Sequence, residues 1–380
     1  MNKFEKHYAS IHEFKNLELS LKRIDDALKH INFTEADLGK VIHIAGTNGK
    51  GSTSFFLNSM LLESGYNTAL FTSPHIDKIN ERIVYNNQEI SDYYMDMIFE
   101  EYESVIIKHQ LSYFEAIFFT ALIFFLKQKP DFTILETGLG GKYDATNTSL
   151  INKKLCVITS MGYDHASYLG NNIYGIINEK LGILRYNSHL ILAYNKPFVQ
   201  DYIHQKINNT IITISIDNLI SDKDYPYPYN ENYTTASKIY NYLTGKEYKY
   251  NPLLKLPPCR MEKIGNIILD GSHNLQGILK IKKTWKHYNF QAILITVTND
   301  RNINNTVEIL KTISHNIIVT TLPDNIRSID SYKQDNIMFI ESPYEAIKYI
   351  KENYNGNILV TGSFYLCALI KNIIKENKNA

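Results

Sequence analysis

His43-Ile44-Ala45-Gly46-Thr47-Asn48-Gly49-Lys50-Gly51-Ser52 is the stretch on which the reading of this chain turns. An apolar run, Val41–Ala45, enters a tight glycine-rich loop that carries a lysine and a hydroxyl, and a helical pattern follows. A strand that turns through glycines into a helix N-terminus aims several backbone N–H groups at one point, where the helix dipole is positive. Glycines let the backbone approach phosphate oxygens, and Lys50 can reach the terminal phosphates of a nucleoside triphosphate. The match to G-x-x-x-x-G-K-[ST] is incomplete. Ile44 stands where the first glycine is expected, Gly51 stands at the hydroxyl position, and the hydroxyl has moved to Ser52. Taken alone, such a loop also serves as an ordinary glycine-rich turn.

The chain of 380 residues has room for two domains and a large core. Its 40 basic and 39 acidic residues leave a formal charge of +1 without any block of one sign, which argues against nucleic acid as a partner. Cys156, Cys259 and Cys367 are far apart and form no C-x-x-C, so neither a disulfide framework nor a zinc site is indicated. The polar start, MNKFEKHYAS, has no apolar signal core. The longest apolar run, Ala116–Leu126, is broken by Thr120 and is too short to span a bilayer. A cytoplasmic protein without membrane contact is the expectation.

Strand-like runs alternate with helical patterns from end to end, which implies parallel sheets covered by helices. Strands are expected at 41–45, 67–73, 132–138, 155–161, 189–194 and 210–216, with helices near 50–65, 91–108, 113–129, 172–184 and 231–243. Glu81–Ile90 alternates around Asn86-Asn87 as a small hairpin would. Pro252, Pro257 and Pro258 mark a linker at 251–258. A second α/β pattern follows, with strands at 266–270, 291–297, 316–321, 336–341 and 357–361 and helices near 275–287, 303–313, 343–354 and 364–376. The expected domains are 1–255 and a smaller, Rossmann-like 256–380.

Several strands end in polar residues, as ligand sites of parallel sheets do. Thr72-Ser73-Pro74-His75 closes the strand after the glycine loop, and the Ser73 hydroxyl could ligate Mg²⁺ there. Leu135-Glu136-Thr137-Gly138-Leu139-Gly140-Gly141 puts a carboxylate at a buried strand end, which is costly unless it is paired or binds metal. Beside a nucleotide, Glu136 fits a Mg²⁺ site built from carboxylate and phosphate oxygens. Met161-Gly162-Tyr163-Asp164-His165 ends a third strand in the same way. Asn178-Glu179-Lys180-Leu181-Gly182 reads by composition as a solvated helix face. Leu269-Asp270-Gly271-Ser272-His273-Asn274 again sets polar groups at a strand's carboxyl end, although a turn-rich helix cap would look alike.

Taken in order, these motifs resemble the folate branch of the Mur ligases, the folylpolyglutamate synthase/dihydrofolate synthase family. The likeness also rests on Glu81-Arg82-Ile83, Ser112-Tyr113-Phe114-Glu115, Tyr143-Asp144-Ala145-Thr146-Asn147, Arg260 and Val360-Thr361-Gly362-Ser363, and runs from Leu19 to Leu366. It implies an α/β fold, with a P-loop, Mur-ligase-type central domain on a parallel-rich sheet and a Rossmann-like C-terminal domain. It also implies an ATP-dependent ligase that adds L-glutamate to dihydropteroate, to the γ-carboxyl of reduced folates, or to both, through an acyl phosphate. Thr47, Asn48, Gly49, Lys50, Gly51 and Ser52 would hold ATP, with Asn232, Arg260, Asp270 and His273 contacting the nucleotide. Ser73, Glu136 and His165 would ligate magnesium, joined by Lys180 if it is carbamylated, and Lys50, His165 and Lys180 would be the catalytic set. Ser112, Tyr113, Phe114, Glu115, Tyr143, Asp144 and Ala145 would lie at the pterin. The implied cofactors are Mg²⁺ and ATP as co-substrate, with K⁺ as a further cation, and the implied state is a monomer.

Three departures stand out: Lys142 where the family shows arginine, Cys259 where it shows glycine, and Leu275 where proline is common. Two other readings compete with this one. A cell-wall Mur ligase needs a UDP-sugar-binding domain before the glycine loop, and little chain precedes Val41. A nucleotide-binding scaffold without activity would have no need of Lys50, Ser73, Glu136, His165 and Lys180 together.

Overall fold

The computed structural model describes residues 2–8, 20–153, 155–163, 170, 172–185, 188–207, 213–215, 225–249, 251, 254–298, 303–322, 332 and 337–379. The chain forms two compact units, one of Met1–Ile220 with Glu231–Leu254 and one of Ser221–Asn230 with Lys255–Ala380.

In the first unit an eight-stranded sheet runs β4-β3-β2-β5-β1-β6-β7-β8. Its strands are β1 (Lys40–Ala45), β2 (Thr68–Phe71), β3 (Ile83–Tyr85), β4 (Gln88–Glu89), β5 (Phe132–Glu136), β6 (Leu155–Ile158), β7 (His189–Leu192) and β8 (Thr213–Ser215). All pair in parallel except β3 and β4, which form the expected hairpin. Asn86 and Asn87 turn it with φ of 48° and 60°, the left-handed pair that a two-residue turn on right-twisted strands requires. The order places β1 between β5 and β6, so the loop after β1 opens between the carboxyl ends of its two neighbours.

The covering helices are α1 (Lys3–Tyr8), α2 (Lys22–His30), α3 (Lys50–Glu63), α4 (Asp92–Lys108), α5 (Tyr113–Gln128), α6 (Ile173–Leu181), α7 (Pro197–Lys206) and α8 (Tyr229–Thr244). The expected helices in this stretch all form, while α1, α2 and α7 were not anticipated. α1 has 6 residues and α2 has 9, too short to show a secure 3.6-residue period. Tertiary burial fixes them instead: Phe4 and Tyr8 pack on Phe99 and Tyr113, within the cluster that swallows Ala116–Phe125. The long apolar run, read as too short to span a bilayer, is a core helix, apolar on every side because every side is covered. No helix among the described residues is long and apolar enough to cross a membrane.

The second unit holds a six-stranded sheet in the order β13-β12-β11-β14-β10-β9. These are β9 (Glu262–Ile264), β10 (Ile267–Asp270), β11 (Phe290–Ile295), β12 (Ile317–Val319), β13 (Met338–Phe339) and β14 (Asn357–Thr361). The helices α9 (Leu275–Trp285), α10 (Ile303–Leu310), α11 (Pro343–Asn353) and α12 (Phe364–Asn379) alternate with the strands. β9 is the one unexpected strand, antiparallel to β10 across a turn at Gly265.

Candidate active site

β1 carries five consecutive buried residues and delivers the chain to Gly46, whose φ of 148° and near-contact with Thr159 leave no room for a side chain. The loop is pinned to the end of β6: Thr47 and Asn48 donate backbone N–H bonds to Ser160 O at 2.9 and 3.2 Å. The Thr47 hydroxyl donates to Gly162 O at 2.9 Å and accepts from Gly162 N at 3.0 Å. Gly49 then caps α3 at φ 90°, and no side chain caps that helix. The first N–H groups of α3 are therefore presented to whatever anion enters the loop. The Lys50 amine folds back on Gly46 O and Thr47 O, at 3.2 and 3.4 Å, in the cradle itself. Asn232, on α8, leans against the loop: a Cβ on Gly49 would lie 2.3 Å from its Oδ1.

Glu136 ends β5, in register with Ile44 of β1, and is buried. Its Oε2 accepts the Ser73 N–H at 3.2 Å. A Cβ on Gly51 would sit 3.3 and 3.4 Å from its two carboxylate oxygens. The sequence-predicted Lys50, Gly51, Ser73 and Glu136 are thus brought to one place. Carboxylate and hydroxyl oxygens are the hard donors that Mg²⁺ selects, so this set fits that ion. No cluster of three His, Cys, Asp or Glu side chains exists among the described residues. Asp164 and His165 lie outside the described residues.

Lys180 is buried at the C-terminal end of α6, where composition alone suggested a solvated face. The reason is the glycine loop after β5. Cβ atoms on Gly140 and Gly141 would collide with Glu179 Oε1 and Glu179 O, each 2.9 Å away, so only glycines allow this approach. Lys142 N donates to Glu179 O at 2.9 Å, and the Lys142 amine lies 4.8 Å from the Tyr143 ring centre.

The residues expected at the pterin divide into two kinds. Ser112 and Glu115 form the capping box of α5: Ser112 Oγ accepts from Glu115 N, and Glu115 Oε2 accepts from Ser112 N at 2.7 Å. Glu115 is further held by Arg23 Nε at 3.0 Å. Asp144 is buried, and its carboxylate accepts from Leu139 N at 2.8 Å, Thr146 N at 3.0 Å and the Thr146 hydroxyl. Burial pushes the pKa of Asp144 up, against the pull of these bonds. These three side chains serve the local structure. Tyr143 is exposed, and Ala145 is buried. Phe114 presses on Gly138, where a Cβ would come within 2.5 Å of the ring. The buried Arg82, which donates to His75 Nδ1 at 2.9 Å, lies 5.8 Å from the Tyr113 ring centre.

In the second unit, Asp270 is buried and accepts from Tyr229 OH at 2.6 Å, Met261 N at 3.2 Å and Ser272 N at 3.0 Å. Burial, followed by the Asp270 charge, raises the Tyr229 pKa well above its usual value, so the phenol stays a donor. The Arg260 guanidinium lies 3.9 Å from the centre of the Phe364 ring, and the His273 ring is 5.3 Å from the same centre. Cys259, at the place of the family glycine, adopts φ 54°. Asn274 is the N-cap of α9, accepting from Gly277 N at 2.7 Å, so the cap reading of this motif holds for that residue.

Sequence reasoning missed a buried polar layer behind these loops. His43 on β1 donates from Nε2 to Thr146 Oγ1 at 2.8 Å, because the single Thr146 proton goes to Asp144. Burial, then the charges of Lys153 and Arg185, hold its pKa well below the usual histidine value. Lys153, fully buried, donates to Asn147 Oδ1 at 3.0 Å and Thr148 O at 2.9 Å. Arg185 donates to Asn147 O at 2.7 Å and Gly182 O at 3.2 Å. A lysine in a polar stretch gives no sequence signal that it will be buried, as Lys153 is, with Arg185 half-buried beside it.

Residues 44–279 match the family model of the Mur ligase middle domain. The dihydrofolate synthase/folylpolyglutamate synthase of Bacillus subtilis is 29% identical over 391 aligned residues, covering 88% of this chain and 90% of that protein. A relative of the same name from Buchnera aphidicola of Schizaphis graminum is 30% identical, with 85% of each chain covered. In three dimensions the chain is similar to Escherichia coli FolC in complex with DHPP and ADP, with a TM-score of 0.82 and 24% identity over 98% of this chain and 97% of that one. That likeness is one of fold.

Proposed function

We propose site roles for a chain that belongs to the Mur ligase family, in its dihydrofolate synthase/folylpolyglutamate synthase branch. The protein is an ATP-dependent carboxylate–amine ligase that joins L-glutamate to a pteroate or folate carboxylate, releasing ADP and phosphate. A carboxylate is a poor acyl donor, since its charge repels an amine and oxide is a poor leaving group. Transfer of the ATP γ-phosphoryl group gives an acyl phosphate, the glutamate amine attacks the acyl carbon, and phosphate leaves as the amide forms.

The observation that carries the site assignment is the packing of the Glu136 carboxylate on Gly51 of the phosphate loop, with Ser73 N bonded to the same carboxylate. Thr47–Ser52 would cradle the phosphates, and Lys50 would leave its two loop carbonyls to meet the transferred group. Asn232, Arg260, Asp270 and His273 remain the proposed nucleotide contacts, with Asp270 acting through the order it gives the Met261 and Ser272 backbone. Ser73 and Glu136 would hold Mg²⁺, with His165 and a carbamylated Lys180 completing the set. Such an ion neutralises charge on the phosphoryl oxygens when bound. K⁺ is kept as a second proposed cation. Of the proposed pterin residues, Tyr143 is exposed to meet a ligand, whereas Ser112, Glu115 and Asp144 would shape the pocket from behind. We also propose a cytoplasmic monomer, divided into an ATP-binding domain of 1–255 and a C-terminal ligase domain of 256–380.

The acceptor is tested by ADP release with Mg²⁺, ATP and L-glutamate, offering dihydropteroate or a reduced monoglutamyl folate separately. We expect turnover with both. Turnover with one alone would restrict the enzyme to that reaction, and none with either would refute the ligase assignment.

A further inference from the structure

The polar layer behind the glycine loop has a centre, the side-chain amide of Asn147, which is buried. Its Nδ2 donates two bonds, to Lys142 O at 2.9 Å and to Gly182 O at 3.0 Å. Lys142 follows the Gly140–Gly141 turn after Glu136, and Gly182 follows Lys180 at the end of α6. One amide therefore bridges the loop leaving the candidate metal carboxylate and the helix end that carries Lys180. Its Oδ1 accepts from Lys153 Nζ, and Lys153 also donates to Thr148 O. Turning the amide over would set its carbonyl against two backbone carbonyls and its NH₂ against an amine, so Lys153 fixes which way Asn147 faces. The same segment is tied to the strand feeding the phosphate loop through Thr146 and His43.

We infer that Asn147, oriented by the buried Lys153, is a positioning residue that sets the depth of Lys180 against the Glu136 loop. The inference rests on the proposed role of Lys180 in that site. Asn147 touches no reacting atom in this assignment; it acts by holding two backbone carbonyls. Second-layer hydrogen bonds of this type, when removed, commonly lower activity by about 10- to 100-fold.

The test uses Asn147→Asp, in which a carboxylate can still accept from Lys153 but cannot donate to the two carbonyls, and Asn147→Leu, which removes both functions at similar volume. Two readouts are needed. Amide hydrogen exchange of the full-length protein addresses the clamp without reference to turnover. The Lys142 N–H, bonded to Glu179 O, and the Gly182 N–H, bonded to Asn178 O, are expected to exchange faster in both variants. The Thr53 N–H, bonded to Gly49 O in the phosphate loop, is expected to stay unchanged. Unchanged exchange at Lys142 and Gly182 in a folded variant overturns the clamp. In the ligase assay kcat is expected to fall about tenfold or more, while the KM for ATP and the calorimetric affinity for ADP in chelator stay within about twofold. Wild-type kcat in a variant with fast exchange at these amides overturns the positioning role. A wild-type enzyme without turnover would remove the site assignment and leave the exchange result to decide the clamp.

Discussion

Replacing Lys153 by Met removes an interior amine while keeping most of its volume, and the structure dictates how stability should then depend on pH. In the fold, burial and, after it, the Arg185 charge lower the Lys153 pKa from 10.5 to about 7. Cys156, Asp25 and Asp144 pull the other way without matching the burial, and His43, whose pKa burial and the Lys153 and Arg185 charges lower, stays neutral nearby. The unfolded chain binds this proton up to about pH 10.5, whereas the folded chain gives it up above about pH 7. Between these values folding releases one proton, so stability rises with pH by ~1.4 kcal/mol per unit from this group alone. The window is best read from pH 7 to 9. Above it Cys156, whose thiol burial lifts from 9.0 to about 11, acts in the opposite sense: its contribution is lost as pH rises through that range. Below pH 6.5 His43 adds its own rise, because the fold disfavours its charged form. Urea denaturation by far-UV circular dichroism at pH 7, 8 and 9 should show wild-type stability gaining on Lys153→Met by on the order of 2–3 kcal/mol across the series. Trp285, the one tryptophan, lies in the second unit and supplies a control probe, since a transition seen by its fluorescence alone should lack the difference in slope. Parallel pH dependences in the two proteins would mean that Lys153 keeps its proton in the fold, and that burial does not lower its pKa as argued.

The proposed metal carboxylate gives a second prediction. Glu136→Ala should lower activity by about 10²-fold at limiting Mg²⁺ and recover in part as Mg²⁺ is raised, since the loss is one of ion affinity; full activity at limiting Mg²⁺ would exclude Glu136 as a ligand. A carbamate on Lys180 should appear as a ¹³C resonance when protein is incubated with ¹³C-bicarbonate and should be absent from Lys180→Ala. A fully active wild-type enzyme without that resonance would leave Lys180 an unmodified lysine.

The fold was legible where one physical rule dominated. β1, β5 and β6 are continuous apolar runs because both faces of a parallel sheet are covered, and their order around the glycine loop follows from the site they form. Asn86-Asn87 announced its hairpin because asparagine tolerates the left-handed conformation that the turn requires. What escaped was set by distant packing. β5 and β6 stop at Glu136 and Ile158, short of the expected 138 and 161, because the chain there bends to build the site. Lys180 read as a surface residue, yet Gly140 and Gly141, some forty positions earlier in the sequence, let the backbone cover it. Ser112, Glu115 and Asp144 were expected at the pterin. A sequence does not separate a carboxylate that meets a ligand from one that meets its own backbone, and here all three side chains have backbone partners.

The incomplete match of the phosphate loop to its usual pattern has a structural cause. In G-x-x-x-x-G-K-[ST] the residue after the lysine supplies a hydroxyl to the metal. Here that residue is Gly51, and Glu136 crowds the space a side chain would fill, its carboxylate oxygens standing 3.3 and 3.4 Å from a Cβ placed there. A serine or threonine would have to displace a buried carboxylate that already accepts from Ser73 N. In the proposed site the oxygen donors come from elsewhere, the carboxylate of Glu136 from the end of β5 and the hydroxyl of Ser73 from just after β2. Two neighbouring strands would then do what one loop residue does in the usual pattern. The departure at Gly51 is thus read together with Glu136 and Ser73: the carboxylate that crowds the missing side chain is the one that accepts from Ser73 N, so the loop and the two strand ends form one arrangement.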